Sequence, residues 1–238
     1  MIKYITSKDN KFYKDALKLK EAKYRKESGA FLAETFKSLE MALKNKQVLY
    51  VFSTKEIEIE EDIPLYIISE DMLKKLSSNV HPEGVVFVNK IRDISQREHN
   101  KILYLDEVSD PGNAGTLIRT ALAFSYDAVV LSKNSVSIYN EKVINSSKGA
   151  IFNIDVFVSD LEQIRKDHTV IASSLSSDSI PLEEVKAPDK FILVVGNESH
   201  GIREDIINQA DIKCNIPIAN IDSLNAAVAG GILMNKIH

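Results

Sequence analysis

"LDEVSDPGNAGTLIRTALAF", residues 105–124, passes from the end of an apolar, β-rich run through an acidic pair and a Pro-Gly turn into a Leu/Ile/Ala helix. Pro111 and Gly112 suit a sharp turn, and Gly115 permits close backbone approach where the helix starts, near Ala114. Arg119 follows on the first turns. Helical side chains tilt toward the N-terminus, so this one reaches back over the strand end, where an anionic or hydroxyl-bearing substrate would lie. The alternative is an ordinary surface arginine paired with Asp110 or Glu107.

The same alternation extends outward from this stretch. From residue 101, KILYLDEV, DAVVLS, NIDVFV, TVIASS, FILVVGN and DIKCNIPI read as strands, with helices over about 114–124, 140–148, 160–167, 202–208 and 223–236. Strands separated by helices need crossover connections, hence a mostly parallel sheet covered on both faces. Ligands of such sheets bind beyond the carboxyl ends of the strands.

The part before residue 97 is a smaller alternating unit. Residues 8–26 read as a polar helix, and FLAETFKSLEMALKNK as a second, with Glu34 or Thr35 near its start and Phe36, Leu39, Met41 and Leu43 on its apolar face. VLYVFST, LYIIS and EGVVFVNK read as strands, and EDMLKKLSS as a short helix. The charged IRDISQREHN, 91–100, lacks either period and is the expected connector. The fold class is α/β throughout, with domains at 1–97 and 98–238.

Composition limits the function classes. At 238 residues and 44% apolar, the chain can bury one large or two modest cores. Its single cysteine, Cys214, cannot form an intrachain disulfide, and Lys3, Lys8, Lys11 and Lys14 interrupt the start where a secretory signal needs an apolar run. A cytoplasmic protein is expected. No stretch approaches the roughly 20 apolar residues of a membrane span. The net charge of −4 hides an asymmetry, because residues 1–48 carry 12 Lys/Arg against 6 Asp/Glu. Such a region either meets a polyanion by releasing its counterions or is a solvated pair of amphipathic helices.

Two further strand exits carry unusual loops. In VVGNESHGIRED, 194–205, Gly196 and Gly201 flank Asn197, Glu198, Ser199 and His200. No Gly-Lys-Ser/Thr and no G-x-G-x-x-G is present, which sets aside a Walker loop and the dinucleotide fingerprint. Glu198 either orders its loop by accepting backbone N–H bonds or holds a substrate hydroxyl or a cation. In IPIANIDSLNAAVAGG, 216–231, Ser223 is placed to cap a helix from about Leu224, with Asn225 on its first turn. The small residues from Ala226 to Gly231 allow another backbone to come close.

Together, DPGNAGTLIRTALAF, LVVGNESHGI and IPIANIDSLNAAVAGGIL resemble motifs 1, 2 and 3 of the SpoU/TrmH family of RNA 2'-O-ribose methyltransferases, in order and at family-like spacings across roughly 101–238. ITSKDNKFYKDALKLKEAKYRKESGAFLAE and HPEGVVFV resemble the family's L30e-like substrate-binding domain. The resemblance implies a C-terminal trefoil knot, a rare exception among folds. It also implies bound S-adenosylmethionine, no metal, and a homodimer through the C-terminal domain. The cofactor would lie against Ser173, Gly196, Asn197, Ile216, Leu224 and Asn225, while Asn113, Arg119, Glu198, Ser223 and Asn225 would carry or organise the chemistry. The implied partner is RNA, ribosomal of the 23S type rather than transfer RNA. A non-catalytic RNA-binding or ribosome-assembly protein and a phosphate-dependent α/β enzyme are the other readings.

Thr35, Ser125, Ser199 and Asn220 stand where the family commonly has glycine. Asparagine tolerates positive φ, whereas the β-branched Thr35 is expected to resist it. The chemistry itself sets a problem. A ribose 2'-hydroxyl must lose its proton in or before methyl transfer, and a guanidinium with a pKa above about 12 is a poor base. Arg119 therefore either has its pKa lowered by a neighbouring positive charge or the cofactor, or positions the 3' phosphate and stabilises the developing alkoxide.

Overall fold

The computed structural model describes residues 2–59, 62–94 and 97–238. The chain divides into two compact units, Met1–Ser95 and Gln96–His238. Of the expected connector 91–100, Ser95 and Gln96 lie outside the described residues.

The smaller unit runs β1 (Ile2–Tyr4), α1 (Lys11–Lys18), α2 (Ala22–Ser28), β2 (Ala30–Glu34), α3 (Phe36–Lys44), β3 (Val48–Ser53), β4 (Leu65–Ile67), α4 (Glu70–Leu76) and β5 (Val85–Lys90). Its five-stranded sheet has the order β1-β4-β3-β5-β2, with β5 antiparallel to both neighbours. Tyr13, Phe52, Tyr66, Met72, Leu76, Val86 and Val88 form its core.

Four expectations are corrected here. The single polar helix over 8–26 is two: α1 ends at Lys18 with Leu19 as its C-cap, and α2 ends at Ser28 with the C-cap Gly29, whose φ of 63° is the left-handed stop that glycine takes readily. FLAE is not the start of a helix but most of β2, buried at all five positions, because a short apolar run serves a buried strand as well as a helix face. The face expected on α3 shifts likewise, with Ser38, Leu39 and Ala42 buried and Phe36 38% exposed. Thr35 does adopt positive φ, at 82°. Its Oγ1 accepts the N–H of Ser38 at 3.3 Å and its hydroxyl donates to Ser38 Oγ at 2.9 Å, so the N-cap of α3 holds it there.

The larger unit runs β6 (Lys101–Leu105), α5 (Pro111–Ala123), β7 (Ala128–Leu131), α6 (Glu141–Ser146), β8 (Asp155–Val158), α7 (Leu161–Arg165), β9 (Thr169–Ser173), β10 (Ile180–Pro181), β11 (Phe191–Val195), α8 (Glu204–Ile207), β12 (Ile212–Asn215) and α9 (Ala226–Lys236). Its seven strands have the order β10-β12-β9-β11-β6-β7-β8 and every pairing is parallel. β11 and β7 are buried at every position, which is why they read as unbroken apolar runs.

The last helix returns across the sheet. α9 packs against α5 and β11. A Cβ on Gly230 would stand 2.3 Å from Leu117 Cδ2, so the small residue sets that approach. The buried Tyr126 hydroxyl donates to the Ile237 carbonyl and ties down the helix end. Among the described residues no helix is long and apolar enough to cross a membrane.

Candidate active site

β6 is followed by the fully buried Asp106, and α5 starts three residues earlier than expected, at Pro111. Asp110 is its N-cap, accepting the N–H of Asn113 at 2.8 Å, and Pro111 fills the first helical position, where its missing N–H costs nothing. The sequence carries that Asp-Pro signal openly. Gly115 allows α5 to lie on α6: a Cβ there would sit 2.5 Å from the Val143 carbonyl and 2.9 Å from the Ser147 nitrogen.

The second loop folds on itself. Asn197 and Gly201 exchange both backbone hydrogen bonds at 3.0 Å, and a Cβ on Gly196 would meet Gly201 C and Ile202 N at 2.3 Å. This hairpin is riveted to the first loop in three places. Asn197 Nδ2 donates to the Glu107 carbonyl at 2.7 Å. Arg203 donates to Asp106 twice, from its backbone N–H at 2.8 Å and from Nε at 2.9 Å. Glu198 accepts from the Ser109 N–H and hydroxyl at 3.3 and 3.2 Å, from the Asp110 N–H at 3.4 Å and from Asn113 Nδ2 at 2.9 Å.

The third loop joins through one residue. Asn225 Oδ1 accepts from the N–H groups of Ala227 and Val228 at 2.9 and 3.2 Å, which leaves its Nδ2 to donate to Asn113 Oδ1 at 3.0 Å. Asn225 is thus the N-cap of α9, and the expectation that Ser223 caps this helix is corrected. Residues 223–225 are not helical and α9 begins at Ala226, two residues later than a Ser223 cap would require. Ser223 is exposed and donates to none of the three linked side chains.

Asn113, Glu198 and Asn225 therefore form one hydrogen-bonded chain drawn from all three loops. Burial pushes the Glu198 carboxyl up. The hydrogen bonds from Asn113, from its own backbone and from the N–H groups of Ser109 and Asp110 outweigh that effect, holding it below the ordinary glutamate value. Arg119, two helical turns along α5, is exposed and has no hydrogen bond or ion pair among the described residues. Its expected alternative partners are taken: Asp110 lies 3.7 Å from Lys142 Nζ, and Glu107 lies 3.7 Å from Arg203 Nε and 3.6 Å from His200 Nε2.

The remaining candidates sit at the carboxyl ends of adjacent strands. Ser173 ends β9 in the register next to Cys214 of β12, Ile216 lies one residue past β12, and Gly196 one residue past β11. Leu224 immediately precedes the Asn225 cap. Ser173, Gly196, Ile216 and Leu224 are all half-buried, and the backbone N–H groups of Ile216 and Leu224 meet no acceptor among the described residues. Half-buried positions with N–H groups left to donate fit an adenosine, whose ring nitrogens and ribose hydroxyls accept hydrogen bonds.

A profile of the SpoU rRNA Methylase family matches residues 100–235. The chain belongs to this family. An MRM3-like substrate binding domain matches residues 10–86. Over its full length the SpoU chain is similar to a 23S rRNA (guanosine(2553)-2'-O)-methyltransferase, RlmP, of Bacillus subtilis, at 31% identity and with both chains wholly covered. Among solved structures it resembles an AdoMet-bound rRNA methyltransferase from Sinorhizobium meliloti, with a TM-score of 0.86, 25% identity, and 99% and 97% of the two chains covered. It also resembles an RNA 2'-O ribose methyltransferase, with a TM-score of 0.81, 26% identity, and 98% and 97% covered. Asp106, Ser109 and Arg203 join the site's hydrogen-bond network without any signal in the sequence. Asp106 and Arg203 stand 97 positions apart, with no local pattern to link them.

Proposed function

We propose that this chain methylates a ribose 2'-hydroxyl of 23S-type ribosomal RNA, as a cytoplasmic homodimer built through residues 98–238. Its class follows from the family: an S-adenosylmethionine-dependent RNA 2'-O-methyltransferase. The observation that supports a methyl-transfer site is the chain Asn225–Asn113–Glu198, which links three loops spread over 112 residues of sequence. The full-length likeness to the 23S rRNA enzyme favours ribosomal over transfer RNA. A C-terminal knot fits the path in which β12 lies outside β9 while α9 returns to β11 and α5.

When bound, the cofactor supplies an electrophilic methyl on a sulfonium. Ser173, Gly196, Asn197, Ile216, Leu224 and Asn225 surround the place it would take. Glu198 fixes the amide of Asn113, and Asn113 fixes that of Asn225, so each amide has only one orientation that satisfies its partners. Ser223 is free to meet the ribose. Arg119, unpaired and exposed, is available to hold the phosphate beside the target nucleotide and the alkoxide developing on the 2'-oxygen.

Tritiated methyl transfer to total RNA, followed by mapping of the labelled nucleotide, tests the substrate. Arg119→Ala is expected to lower kcat more than about 100-fold, the scale of a lost alkoxide-stabilising donor. Melting should move by less than about 0.5 kcal/mol, because the side chain is exposed and unpaired. Label in transfer RNA alone, or turnover within tenfold of wild type in the variant, overturns the assignment.

A further inference from the structure

The smaller unit carries an aromatic group that the methyl-transfer site does not use. Asn10 caps α1, its Oδ1 accepting the N–H of Phe12 at 2.9 Å and of Tyr13 at 3.4 Å, which fixes both rings on a rigid first turn. Tyr13 turns into the core at 1% exposure, and its hydroxyl donates to the Met72 carbonyl at 3.0 Å. Phe12 stays 44% exposed. Its ring stacks on Tyr66, with centroids 5.0 Å apart and planes at 29°, and meets Tyr50 edge-on at 5.7 Å. Phe52 backs both tyrosines from within, at 5.5 and 5.6 Å. The ring is braced on one side and open on the other.

Covering the core does not require this arrangement; a leucine would exclude water as well. The charge around the ring adds a second observation. Lys8 and Lys11 precede Phe12 in the chain, by four residues and by one, and Lys3 of the edge strand β1 is in register with Tyr66 of β4, on the same face of the sheet. All three are exposed and have no carboxylate partner among the described residues. They belong to the segment whose 12 Lys/Arg outnumber 6 Asp/Glu. Single-stranded nucleic acid is bound by this combination, a rigid aromatic face for the base and unpaired cations for its phosphates.

We propose that Phe12 is a stacking platform for an unpaired RNA base, with Lys3, Lys8 and Lys11 neutralising the adjacent phosphates. This rests on the reading of the chain as an RNA methyltransferase and deepens it, because bases in a duplex hide their faces and the platform selects nucleotides that are single-stranded.

The chain has no tryptophan, so Phe12→Trp in the full-length protein places a single indole on the platform. Its emission is read against a 12-mer oligoadenylate and against an RNA hairpin duplex. Quenching by the single strand and not by the duplex, weakening with salt, is expected. Phe12→Leu, which keeps an apolar cover, should weaken oligoadenylate binding about 5- to 100-fold. With ribosomal RNA as substrate it should raise KM and leave kcat unchanged. Unchanged indole emission, or a Phe12→Leu variant that binds as wild type does, overturns the proposal while leaving methyl transfer intact. Absence of methyl transfer to any RNA in the wild-type protein would instead defeat the functional reading, and the quenching would still be read independently.

Discussion

Asn113 is held from both sides, by a carboxylate that can only accept and by an amide whose oxygen is already committed to capping α9. Glu198 is the anchor of that arrangement. In Glu198→Gln an amide NH2 must face at least one of the donors from Ser109, Asp110 or Asn113, a donor against a donor. The expected result is a stability loss of about 1–3 kcal/mol and a fall in kcat of about 10- to 1000-fold. The pH dependence carries a sign. The Glu198 carboxyl is lowered in the folded chain, so its contribution is fully present above the ordinary glutamate value of 4.5 and is lost as pH falls through the lower, folded value. Urea unfolding of wild type and Glu198→Gln from pH 7 to 3 should show their difference shrinking only on that acid limb. A difference constant across the range would mean that the carboxylate charge plays no part.

At the scale of the element, the starts and stops of helices separate structure from chemistry. Asn225→Ala removes the cap of α9 and should cost about 1 kcal/mol along with activity. Ser223→Ala removes no hydrogen bond among the described residues, so its melting temperature should match wild type, and any loss of rate belongs to substrate contact. Melting and turnover measured on both variants decide the two roles. The stop of α5 gives the opposite sign. Tyr126 N–H reaches the Ala121 carbonyl at 3.0 Å and Ser125 N–H the Leu122 carbonyl at 3.2 Å, a Schellman stop with serine at φ 58° where glycine fits best. Ser125→Gly should therefore stabilise by about 1 kcal/mol, read as a higher urea midpoint. Elements were legible where burial imposed a pattern. β7, β9 and β11 are apolar because both faces of the sheet are covered, and α5 announces itself through Asp110-Pro111. β10 is two residues with a proline and has no period, and β2 is an apolar run that a helix could equally carry. Asp106 with Arg203 is a tertiary pair, invisible to any window along the chain.

Across the whole molecule, the contacts divide the chain after Ser95, and each unit has its own apolar set and its own sheet. Strand order was not legible, because the placement of β12 between β10 and β9 depends on pairings that no local pattern records. The proposed cofactor residues, Ser173 to Asn225, all belong to the larger unit, and the excess of unpaired lysines belongs to the smaller one. Cofactor binding and RNA affinity should then separate physically. A fragment of residues 98–238 should bind S-adenosylmethionine in calorimetry with the affinity of the full chain. At 100 times its Kd the cofactor should stabilise that fragment by about 2.7 kcal/mol. RNA binding should fall in the same fragment, and in the full chain it should weaken steeply with salt, as counterion release from lysine–phosphate contacts requires. A fragment that folds yet binds no cofactor would move part of the crevice outside 98–238, and the three-loop site could not then be complete.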